Sequence, residues 1–470
     1  MTGFGVGVVS AVAWGALAFG AVYPWAYWSL AILCAALGLW AVVVLRAWED
    51  PRTRTLGIAL AVVAAGIGVQ AVSLPYSIVM RLSPGVDQFL REYRLFFHPA
   101  SLHSLSLNQQ NTLIALALFV AMSLLLVGLT RAMRRVGLEW LVVQVMGFGV
   151  ALAVVGVVQR ALTFNDPDPL LYGFWQPARR GTPFGPYINR NHFAGWMLMA
   201  LPLVVGYSCG VIARLAPSTS GGWRGWVRWI LSEEAGRPLL LVACALVMGM
   251  AMTLTGSRSG VAAFAVSMMV MAMFIARRVD SRRVRRAAIA YIFTLIAGVV
   301  AWGGAGATYA RFELVSQDIG GRLSAWSDTL RIIQDFPLFG TGLGTYRQAM
   351  LIYQTRFRET VFAQAHNDYL QIVAEGGLFL LIPIVFLLWV VIGTIVRRLR
   401  SGDDDALTSW IRAGAVAGLA GIAAQSLVEF TLQIPGNRVI FVVLVAIAMH
   451  RPVSIRQPRA ETRRSPEAGA

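Results

Sequence analysis

Apolar residues along this chain fall into long blocks separated by short polar connectors. Segments 6–22, 26–45, 56–74, 111–130, 138–159, 192–213, 238–254, 259–276, 287–304, 367–396, 406–429 and 437–450 each approach the roughly 20 residues that a helix needs to cross about 30 Å of hydrocarbon. The pattern predicts an all-α, polytopic membrane bundle of about 12 transmembrane helices. Composition agrees, with 57% hydrophobic and 13% charged residues, too apolar for one soluble core. Domain organisation follows the same pattern. A transmembrane bundle of about nine spans over 1–304, a large loop over 305–366, C-terminal helices over 367–450 and a basic tail over 451–470 are expected.

Ala16-Leu17-Ala18 resembles a signal-peptidase site, but no basic residue precedes it and a second span follows at once. The first block is therefore read as a retained helix. Cys34, Cys209 and Cys244 lie inside apolar blocks, which suggests packing rather than disulfides or a thiolate metal site.

All 40 basic residues are arginine, and the net charge is +17. Their placement is more informative than their number. "RAWEDPRTR", "RAMRR", "RRVDSRRVRR", "RRLR" and the tail share one side if the spans alternate, and the positive-inside rule makes that side cytoplasmic, with both termini inside. The excess charge then reports topology and attraction to membrane lipids, and no nucleic acid is implied. The longer loops, 75–110, 160–191 and 305–366, fall on the outer face.

Within the last loop, Leu323, Trp326, Leu330 and Ile333 recur at helical spacing before Pro337, predicting an amphipathic helix lying at the membrane interface. Gly340, Gly342 and Gly344 read as a turn, followed by a second short helix over "TYRQAMLIYQTRFRE". Arg190, Arg258, Arg322 and His366 all stand at outer span boundaries. Snorkelling to a lipid phosphate explains any one such arginine. Three of them with a histidine suit a ligand with a phosphate or pyrophosphate headgroup and an apolar tail, because the guanidinium fork matches phosphate oxygens.

An imidazole titrates near pH 6.5, which makes His366 the natural general base at neutral pH, with His192 its closest competitor. Glu375 lies deep enough in its span to invite a functional reading, while Gly376 and Gly377 beside it equally allow a helix break held by a structural hydrogen bond. Asp166-x-Asp168 is the kind of pair that can hold a divalent cation, but Asp-Pro repeats are also turn formers, and no metal site is assigned.

"GGRLSAWSDTLRIIQDFPLFGTGLGTYR" followed by "AHNDYLQIVAEGGLFLLIP", together with the upstream "NRNHFAGWMLMALPL" and "TGSRSGVAAF", resembles the O-antigen ligase and O-antigen polymerase family. The resemblance covers roughly residues 180–390. It implies a GT-C-like membrane glycosyltransferase of the bacterial inner membrane with a periplasmic active site. Such an enzyme takes a glycan from an undecaprenyl-pyrophosphate carrier and passes it to lipid A core or to another glycan, with no cofactor. On that reading Arg190, Arg258 and Arg322 bind the donor pyrophosphate and His366 is the base. Asn367, Tyr346 and Arg347 are secondary candidates for orienting sugar or phosphate. Two competing readings remain at this level: a solute transporter, for which Glu375 is the main feature, and a noncatalytic envelope scaffold.

Overall fold

The computed structural model describes residues 2–163, 166, 169–177, 181–215, 222–279, 282, 285–286, 289–290, 292–293, 297, 310–358, 361–402 and 404–451. The expected span 287–304 and tail 451–470 lie largely outside these residues, and Asp168 wholly so.

In chain order, α1 (Thr2–Leu17), α2 (Pro24–Val44) and α3 (Pro51–Ala71) lead to a short antiparallel pair, β1 (Leu74–Pro75) with β2 (Leu102–His103), that brackets α4 (Tyr76–Leu82) and α5 (Pro84–Tyr93). The long α6 (Gln109–Val136), α7 (Leu138–Leu162) and α8 (Arg190–Leu215) follow. Next come α9 (Gly222–Ile230), α10 (Gly236–Leu254), α11 (Arg258–Arg278), α12 (Ala310–Asp335) and α13 (Tyr346–Tyr353). The last three are α14 (Asp368–Arg400), α15 (Ala406–Gln425) and α16 (Pro435–Met449). The protein is thus an all-α, multi-pass membrane protein. Nine helices among the described residues are long and apolar enough to span, while α1 and α16 are apolar but shorter. The expected count of about 12 is accordingly not reached among them.

The centre of the bundle is α8, buried along most of its length. It can lie against α15 because both offer glycine at the crossing: a Cβ on Gly206 would stand 2.5 Å from the Trp410 carbonyl oxygen, and one on Gly414 would stand 2.5 Å from that of Pro202. Small residues permit such backbone approach in membrane bundles, where packing rather than water exclusion drives association. Gly195 near the start of α8 does the same for the α15–α16 connector, since a Cβ there would meet Thr431 at 2.2 Å.

At the end of the bundle carrying the N-termini of α8, α11 and α14, a second apolar core forms around Val79, Val86, Leu90, Ile332, Phe336 and Met350. It fastens α4, α5, α12 and α13 to one another. A helix, α12, stands where the amphipathic one is expected: Leu323 and Leu330 are 55% and 51% exposed, whereas Ala325, Asp328, Thr329 and Ile332 are buried against the rest of the protein. Polar bonds set the rotation. Thr329 shares a hydrogen bond with the Tyr346 hydroxyl at 2.7 Å, and Asp328 accepts from the Thr355 backbone and side chain.

α14 is broken within its first turns. Gly377 adopts φ 58°, ψ −170°, a region essentially restricted to glycine. The carbonyls freed by the break accept from the glycine turn: Thr341 N–H donates to Ala374 at 3.0 Å and Gly342 N–H to Glu375 at 3.0 Å. In return, Leu378 and Phe379 donate to Pro337 and Leu338. The 340–344 turn and the broken helix therefore satisfy one another, as membrane-depth backbone must.

Candidate active site

The site centres on a residue outside the expected set. Glu429 lies in the connector between α15 and α16, and its side chain is fully buried. The connector is fixed from below by Gly195 and from the side by Asp368, whose N–H donates to the Ser426 carbonyl at 2.9 Å and whose carboxylate accepts from Ser426 Oγ at 2.9 Å and Gln433 Nε2 at 3.1 Å.

Four segments distant in sequence meet on Glu429. Arg322 Nη2 of α12 donates to Oε1 at 2.7 Å, as does Asn191 Nδ2 of α8, also at 2.7 Å. Ser259 Oγ of α11 approaches the same oxygen at 3.4 Å. His366, in the connector that enters α14, places Nδ1 3.7 Å from Oε2. Burial pushes the Glu429 carboxyl upward, but the neighbouring His366, Arg322 and His192 outweigh it and hold it below its usual range.

His366 has φ 50°, an unfavourable region for a residue with a Cβ, so the surrounding contacts must impose it. Its ring stands edge-on to Phe430 at 4.8 Å, and His192 meets Phe430 at 4.8 Å as well. Three buried polar atoms around this ring, His366 Nδ1, Glu429 Oε2 and His192 Nε2, have no hydrogen-bond partner among the described residues. Such atoms are uncommon in folded proteins and concentrate where a proton or ligand is handled. With Nδ1 toward the carboxylate, the opposite ring nitrogen is the one available for chemistry, and the imidazole is 26% exposed.

Arg190 and Arg258 are exposed first residues of α8 and α11. The Arg190 guanidinium lies against Gly256, two positions before Arg258, since a Cβ on that glycine would meet Nη1 at 3.4 Å. Neither helix has an acidic residue in its first turn, so both bring arginine to the positive end of a helix dipole, an arrangement that favours a bound anion.

The secondary candidates divide. Asn367 is the N-cap of α14, its side chain accepting from Leu370 N–H at 3.0 Å. Tyr346 is buried and tied to Thr329, and burial pushes its phenol up. Arg347 is exposed beside them. Glu375 is 2% exposed, its Oε1 accepts from Tyr346 N–H at 2.8 Å at the start of α13, and its carbonyl accepts from Gln70 Nε2 at 2.8 Å.

Residues 243–385 match the family model described as O-antigen ligase. Over that stretch the chain is similar to the O-antigen ligase family. The matched segment contains most of α10, all of α11 to α13 and the first half of α14, hence Arg258, Arg322, His366 and Glu375. No curated protein matches the chain. An O-antigen ligase domain is a glycan-processing enzyme domain of the ligase or polymerase type, working in membrane glycan biosynthesis with a lipid-linked glycan and an acceptor. Arg190, His192 and Glu429 lie outside the matched segment and join the O-antigen ligase residues only in three dimensions.

Proposed function

We propose that this protein transfers a glycan from undecaprenyl pyrophosphate to an acceptor hydroxyl on the periplasmic face of the bacterial inner membrane, both of its termini being cytoplasmic. The observation that carries the reading is the convergence of Arg322, Asn191, Ser259 and His366 on Glu429. This joins the arginine-bearing helix starts to a histidine paired with a carboxylate.

The donor diphosphate sits among Arg190, Arg258 and Arg322, with the α8 and α11 N-termini adding their dipoles. Glu429 orients the His366 imidazole through Nδ1, the part a carboxylate plays beside a catalytic histidine. His366 accepts the proton of the acceptor hydroxyl. The freed oxygen forms its bond to the anomeric carbon from the face opposite the pyrophosphate, whose carbon–oxygen bond breaks with the electron pair leaving on the diphosphate. The arginines neutralise that developing charge, so no metal ion is required and the anomeric centre inverts.

Lipid A core as acceptor makes the enzyme a ligase, and a second carrier-linked unit makes it a polymerase. The transporter alternative loses its main support, because the Glu375 carboxylate holds the start of α13. The test is transfer by purified protein in the presence of EDTA from undecaprenyl-pyrophosphate-linked glycan, with lipid A core and carrier-linked glycan offered separately. Product on either supports the reading; donor binding followed by no transfer to either opposes it.

A further inference from the structure

Beside the proposed site is a cavity of about 300 Å³, at the lower end of the range for small-molecule sites. Its walls carry five carboxamides, Asn111, Gln348, Gln364, Gln371 and Gln433. Exposed Arg347 and buried Glu375 also line it. A carboxamide both donates and accepts hydrogen bonds without carrying charge, so this lining matches a molecule dense in hydroxyl groups. The chain satisfies part of it internally: Gln371 donates to Gln364 and accepts from Ala365 N–H at 3.0 Å, and Gln433 donates to Asp368. Gln348 Oε1, although buried, has no partner among the described residues, which leaves an acceptor waiting for a donor.

Placement narrows the occupant. Gln364 precedes His366 by two positions, Gln371 lies on the first turn of α14, and Gln433 shares the connector of Glu429. The lining comes from α6, α13, α14 and these connectors, and not from α8 or α11, where Arg190 and Arg258 begin. The lining thus takes nothing from the two helix starts assigned to pyrophosphate, while Gln364 and Gln433 adjoin His366 and Glu429 in sequence, as suits an acceptor, which in an inverting displacement enters opposite the leaving group.

We propose that this amide-lined cavity is a subsite for one neutral pyranose of the acceptor glycan. The proposal rests on the transfer reading for the acceptor's identity, but sugar binding can be measured without transfer.

Full-length protein in nanodiscs is titrated with methyl α-glucoside, N-acetylglucosamine and glucuronate, followed by saturation-transfer NMR. Saturable binding of one or both neutral sugars is expected, equal in wild type and His366→Ala. It should weaken roughly three- to tenfold in Gln348→Leu, the effect of one lost hydrogen bond, and KM for the acceptor should rise by the same factor. Should Gln348→Leu not insert, Asn111→Ala provides the same comparison. Absence of saturable neutral-sugar binding, preference for glucuronate, or unchanged affinity in the variant overturns the subsite. Full transfer by His366→Ala would instead sink the catalytic reading and leave the binding result standing.

Discussion

Nδ1 of His366 stands 3.7 Å from Oε2 of Glu429, a fully buried carboxylate whose other oxygen already binds Arg322 and Asn191. The pair joins the connector before α14 to the connector before α16. It gives the imidazole a fixed anionic neighbour while leaving the ring 26% exposed.

Replacement of Glu429 by glutamine keeps the shape and removes the charge. Transfer should fall about 100-fold or more, within the span that general acid–base catalysis contributes, with the donor still bound. A kcat within twofold of wild type, in protein shown to be inserted, would exclude an orienting role.

The same carboxylate sets a pH dependence of stability. Its folded value lies below the usual range, so its contribution is complete above the ordinary glutamate value of about 4.3 and is lost as pH falls through the lower folded value. The melting-temperature advantage of wild type over Glu429→Gln should shrink as pH falls below about 4. An advantage that persists undiminished or grows on further acidification below that pH would contradict the assignment.

Arg258→Ala should weaken the donor rather than the acceptor. A charge-assisted bond is worth about 1.5–3 kcal/mol, so the dissociation constant for undecaprenyl pyrophosphate should rise roughly 10- to 150-fold. Arg190→Ala should act in the same direction, and acceptor KM should move little in either.

Glu375 and Gly377 are predicted to matter for folding. Glu375→Ala leaves the buried Tyr346 N–H without its acceptor, at a cost of about 1–3 kcal/mol, whereas Glu375→Gln retains an acceptor and should melt near wild type. Gly377→Ala forces a side chain into positive φ and to 2.5 Å from the Leu338 carbonyl oxygen and Gly340 nitrogen. It should be the most destabilising of the three in detergent. Solute uptake into proteoliposomes that depended on Glu375 would revive transport.

Much of the fold is legible in the chain because a membrane span is a local signal: a long apolar run specifies a helix whatever lies beside it. The helix break at Gly377 and the 340–344 turn are legible from their glycines. The arginines and His366 stand out because charge at a span boundary is conspicuous. Glu429 does not, since the apolar run from Ala406 reads on through it, while the helix stops at Gln425 and the chain turns inward. The one signal is the polar company it keeps in "QSLVEFTLQ". The buried face of α12 is illegible for a different reason. Helical period marks Leu323 and Leu330 as one stripe, but the partners of Asp328 and Thr329 come from residues far along the chain.

The most direct measurement is transfer of glycan from undecaprenyl pyrophosphate by purified His366→Ala, with donor binding recorded on the same preparation. Transfer should drop at least about 100-fold while donor affinity remains within about twofold, because in the proposed mechanism His366 takes the acceptor's proton and the arginines hold the donor. Undiminished transfer by an inserted, donor-binding His366→Ala protein would contradict the account.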